Sequence, residues 1–102
     1  MSIITELVTL KSINNVTRDE FISIVDSLEK NFHSKQDGFI DTELLYDEKK
    51  NTWIMIQHWE TAEHLKIASK KIFSDNAAKS FIKCVDPESV KIVITTQIEV
   101  WK

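Results

Sequence analysis

The repeat of apolar residues switches between two and 3.6 residues along the chain, and that alternation limits the available folds more than any motif does. Residues 3 to 11, IITELVTLK, alternate as a strand, with Ile4, Glu6, Val8 and Leu10 on one face and Ile3, Thr5, Leu7 and Thr9 on the other. Thr17-Arg18-Asp19-Glu20 reads as a capping box, in which the Thr17 hydroxyl accepts from the Glu20 backbone and the Glu20 carboxylate accepts from the Thr17 backbone. The helix it opens presents Phe21, Ile24, Val25, Leu28 and Phe32 as one stripe, and the sole glycine, Gly38, marks its end. Phe39 to Asp47 and Asn51 to Glu60 return to the strand period and are joined into a hairpin by the polar turn between them. Thr61 caps a second helical region carrying Leu65, Ala68, Ile72 and Phe73. That region breaks at Ser74-Asp75-Asn76 and resumes with Ala77, Ala78, Phe81 and Ile82. Asp86-Pro87 ends it, because proline disfavours helix in the residue before it, and Ser89 to Trp101 reads as a long last strand.

The order is therefore β-α-β-β-α-β within 102 residues, which suits a single α+β domain spanning residues 1–102. Such an order is met most simply by a ferredoxin-like fold, a four-stranded antiparallel sheet with the helices on one face. The other face is left bare, and the alternation assigns to it Leu7, Leu45, Trp53, Met55, Trp59, Val93 and Trp101. So much apolar surface predicts a homodimer packed sheet to sheet, burying on the order of 2,000 Å² or more in total.

Charge and composition exclude several partners. With 13 Lys+Arg against 16 Asp+Glu, and no basic cluster larger than Lys70-Lys71 with Lys66 and Lys79 nearby, nucleic acid is not an expected partner. No segment approaches roughly 18 uninterrupted apolar residues, and Met1 to Glu6 carries no basic leader, so no membrane partner is expected. One cysteine, Cys84, cannot close a disulfide within the chain, which points to a cytoplasmic location and an inert, buried thiol. A single glycine leaves no phosphate-cradling loop. His58 and His64 lack the i,i+4 spacing of a helical zinc pair, and neither lies near Cys84, so no metal site is expected.

The element order, the segment His58-Trp59-Glu60-Thr61-Ala62-Glu63 opening the second helix, and the second strand starting at Phe39 together resemble the antibiotic biosynthesis monooxygenase family of the dimeric α/β-barrel superfamily. The resemblance covers nearly the whole chain. It implies a cofactor-independent monooxygenase acting on a small hydrophobic phenolic or quinol-like molecule between sheet and helices. The alternative within the same fold is a non-catalytic dimeric module for ligand binding or stress response. The haem-degrading branch places an Asn on the first strand, a Trp in the second helix and a His near that helix's end. Here those positions hold Glu6, Ile67 or Ala68, and Phe81, so no haem, and no other cofactor, is expected.

Candidate site residues follow from polar side chains on an otherwise apolar face. By alternation with Ile54 and Ile56, His58 is assigned to the helix-facing side, and Glu6 shares that side with Ile4, Val8 and Leu10. Paired across adjacent strands, Glu6 and His58 would form a carboxylate–imidazole couple able to act as a general base. They equally suit a structural hydrogen bond, or a reach to solvent at the sheet edge. Tyr46 and His64 are the candidate substrate contacts, Tyr46 as a hydrogen-bond donor and His64 at a pocket mouth. His33, at the polar end of the first helix, reads as solvated. The three tryptophans read as packing rather than an aromatic cage.

Overall fold

The computed structural model describes residues 2–102. Strand β1 (Ile4–Leu10) leads to helix α1 (Arg18–Asn31), then to β2 (Phe39–Asp47) and β3 (Thr52–Trp59), helices α2 (Ala62–Lys71) and α3 (Lys79–Cys84), and β4 (Lys91–Thr96). The strands form one antiparallel sheet in the order β2-β3-β1-β4, with the helices on one face. The sheet is open, not a closed barrel.

Local chemistry sets the element ends. Both halves of the Thr17–Glu20 capping box form. The β2–β3 turn is held by Asp47, whose Oδ1 accepts from the backbone N–H groups of Lys49 and Lys50 at 3.0 and 3.2 Å. Asn51 there takes a positive φ of 51°, which its short polar side chain tolerates. Short 3-10 turns separate α2 from α3, and the Asp75 carboxylate caps the second of them by accepting from the Ala77 N–H. The last strand is shorter than the expected Ser89 to Trp101. Residues 87–89 form a 3-10 turn, and pairing ends at Ile4↔Thr96, because β1 begins at Ile4 and supplies no further partner beyond the bond from Gln97 N–H to the Ile3 carbonyl.

The core lies between sheet and helices. Phe21, Leu28, Phe32, Leu10 and Trp59 are its largest fully buried side chains, and the Phe21 ring stacks on Trp53 with centroids 4.6 Å apart. Every second residue of β3 is buried: Trp53, Met55, Gln57 and Trp59. These point toward the helices, which reverses the face assigned from the sequence. The bare face carries Ile54, Ile56 and His58 instead, beside Thr5, Leu7 and Thr9 of β1, Leu45 of β2 and Val93 of β4. Trp101, expected on that face, lies beyond β4 and is exposed. Among the described residues no helix is long and apolar enough to cross a membrane.

Candidate functional site

Between the sheet and the three helices lies a cavity of about 400 Å³. Its floor is β1 and β3, through Glu6, Val8, Leu10, Met55, Gln57 and Trp59, and its roof includes Leu28, Leu65, Ala68, Ile72 and Phe81. Three buried polar side chains reach it, Glu6, His33 and Gln57. They meet in one corner because Glu6 and Gln57 are cross-strand partners on the inner face, while α1 stops at Asn31 and a 3-10 turn over His33–Lys35 swings His33 down onto them.

The corner is internally ordered. His33 Nδ1 lies 2.5 Å from Glu29 Oε2, one helical turn earlier on α1, and both side chains are largely shielded. A carboxylate only accepts, so it places a ring hydrogen on Nδ1 and leaves Nε2 as the ring's one possible acceptor. Phe39 stacks on the ring, and Phe32 and Trp59 meet it edge-on, which fixes its plane. Trp59 Nε1–H can only donate, and it donates to Gln57 Oε1 at 3.3 Å. The Gln57 amide nitrogen therefore faces His33, 3.2 Å from Nδ1 and 3.4 Å from Nε2. With the hydrogen on Nδ1, Nε2 is the ring nitrogen able to accept from that amide, so a ligand hydroxyl reaching Nε2 competes with Gln57 for it. Burial raises the Glu6 carboxyl above its ordinary value, with His33 exerting a smaller opposing pull. A carboxyl so placed holds its proton to higher pH than an exposed one.

The residues singled out from the sequence are dispersed. Glu6 faces the cavity as expected. His58 does not: its register partners are Thr5 and Asp41 on the outer face, where its Nδ1 lies 2.7 Å from Asp41 Oδ1. The Glu6–His58 couple is thus excluded, the two side chains standing on opposite faces of the sheet. Tyr46 is on the inner face but at the hairpin end, against Trp53 and beneath the Arg18 guanidinium. Its hydroxyl donates to Asn51 Oδ1 at 3.3 Å, away from the cavity lining. The His64 ring covers Gly38 and accepts a hydrogen bond from the Thr61 hydroxyl at 2.8 Å, also outside the lining. His33, read from the sequence as solvated, is 6% exposed and takes the place assigned to His58. Its signal was the i,i+4 spacing from Glu29 along the border of the apolar stripe.

Burial raises the Cys84 thiol, which donates weakly to the Phe81 carbonyl; such a thiol is a poor nucleophile. Among the described residues no group of three or more His, Cys, Asp or Glu is placed to hold a metal ion. A second depression, of about 490 Å³, opens between Thr9, Ile54 and Lys91 and the Asp86–Ser89 turn. It includes none of the buried polar groups.

A sequence model of the antibiotic biosynthesis monooxygenase family matches residues 4–71. No functionally curated protein matches the chain. Among solved structures, SnoaB from Streptomyces nogalater, a cofactor-independent oxygenase, aligns with a TM-score of 0.74 at 16% identity, covering 98% of this chain and 97% of its own. A Bordetella bronchiseptica protein assigned as an antibiotic biosynthesis monooxygenase gives 0.80 at 13% identity, covering 97% and 100%. One from Chloroflexus aurantiacus gives 0.70 at 14%, covering 99% and 98%. At these identities the likeness is one of fold.

Proposed function

The chain belongs to the antibiotic biosynthesis monooxygenase family, and from that premise we propose that it is a cofactor-independent monooxygenase of a small hydrophobic phenol or quinol. The observation that carries the reading is the Glu29–His33 couple, with its Nδ1···Oε2 distance of 2.5 Å, on the wall of an otherwise largely apolar cavity. A ligand hydroxyl in the polar corner gives its proton to His33 Nε2, and Glu29 stabilises the imidazolium that forms. The resulting phenolate is electron-rich at its conjugated ring carbons. It reduces dioxygen, one of those carbons bonds to oxygen as a hydroperoxide, and the O–O bond then breaks with loss of the ring hydrogen. One oxygen atom enters the product as a quinone carbonyl and the other leaves as water. Gln57 donates to the substrate oxygen, and the apolar walls keep competing water away from the anion.

The reading includes a second copy packed on the outer face, where Leu7, Ile54, Ile56 and Val93 lie together. The test is dioxygen uptake by the purified protein with a panel of naphthols and alkylphenols. Uptake is expected to fall by about two to four orders of magnitude in His33→Ala, and substantially in Glu29→Gln, with the fold retained. Uptake no greater with wild type than with His33→Ala across the panel would overturn the reading in favour of a ligand-binding module.

A further inference from the structure

We propose that the cavity selects aromatic ligands whose oxygen substituents lie together on one edge, the rest of the molecule being hydrocarbon. The inference rests on the phenol-base reading above and narrows its substrate class. The polar groups of the cavity interior are confined to one corner: Gln57 stands opposite Glu6 in the β1–β3 register, and its amide nitrogen is within 3.4 Å of both His33 ring nitrogens. Away from that corner the wall is Leu10, Val85 and Val90, and the opening is rimmed by Phe73, Ile82 and Ile92, all three exposed. Ser69, the one other polar side chain of the lining, is exposed on α2.

Oxygens on one edge of a ring find an acceptor in His33 Nε2 and a donor in Gln57, with the Glu6 carboxyl beside them. A hydroxyl on the opposite edge is carried past the corner against the hydrocarbon of Leu10, Val85 and Val90, where the protein offers it no hydrogen-bond partner. Para-quinols are therefore disfavoured, and monophenols and catechols accepted.

Anaerobic titration calorimetry of the full chain tests this with tert-butylphenol, tert-butylcatechol and tert-butylhydroquinone. The last two are isomers, so the buried apolar area is closely matched and the position of the second hydroxyl is the main difference. The phenol and catechol are expected to bind with similar Kd and the hydroquinone about tenfold or more weakly, with the His33 ring resonances shifting on catechol binding. Equal binding of catechol and hydroquinone, or binding that leaves the His33 resonances unmoved, overturns the selectivity while leaving the dioxygen-uptake test of the base untouched. Binding of none of the three overturns both readings.

Discussion

Gly38 takes a φ of +79°, and a Cβ built on it would overlap the His64 ring. Gly38→Ala therefore meets two separate costs. Left-handed backbone costs an L-residue about 1–2 kcal/mol. The displaced ring also gives up its 2.8 Å hydrogen bond from the Thr61 hydroxyl, worth about 1 kcal/mol. The lower entropy of the unfolded alanine chain offsets about 0.4–1 kcal/mol, leaving a net destabilisation of about 2 kcal/mol, or roughly 8–16 °C in Tm for a domain of this size. The two costs separate in a double-mutant cycle. In a His64→Ala background the overlap is gone and only the backbone cost survives, so the pair should couple by about 1 kcal/mol. Urea denaturation of the four proteins measures it. A Gly38→Ala variant within about 0.5 kcal/mol of wild type would refute both costs, and strict additivity with His64→Ala would refute the placement of His64 against Gly38 while leaving the φ argument standing.

Glu6 and the outer face supply two further expectations. Burial raises the Glu6 carboxyl, so the folded chain holds that proton to higher pH than the unfolded chain. The associated stability is fully present below the unfolded value of about 4.3 and is lost as pH rises through the folded value, at about 1.4 kcal/mol per unit of displacement. Glu6→Gln should be more stable than wild type near neutral pH and lose that advantage below about pH 4; a stability gap constant with pH in urea melts would count against a buried carboxyl. Ile56 faces away from the helices beside Leu7 and Glu43, so in sedimentation the wild type is expected as a dimer and Ile56→Asp as a folded monomer, whereas Trp59→Asp, at a position with no exposure, should unfold the chain. An unaltered Ile56→Asp dimer would place the interface elsewhere.

Much of this fold is legible locally. The capping box at Thr17, the Asp47–Asn51 turn, the break near Asp75 and the stop at Pro87 each depend on groups a few residues apart, and each forms where the sequence places it. The inner face of β1 was legible too, since Val8 and Leu10 pack in the core. Two things were not. The end of β4 depends on where β1 begins, some ninety residues earlier. The inward face of β3 depends on volume: Trp53, Met55 and Trp59 on one side and Ile54 and Ile56 on the other are both apolar sets, and a period of two says which residues share a face but not which face turns inward. The helices settle it by packing the larger set, with Phe21 stacked on Trp53 and Leu65 clustered with Trp59. His58 goes outward with that choice, and the imidazole that reaches the cavity is His33. It arrives by a turn past the end of α1, where helical periodicity stops and side-chain direction follows from the packing of Phe32, Phe39 and Trp59 around the ring.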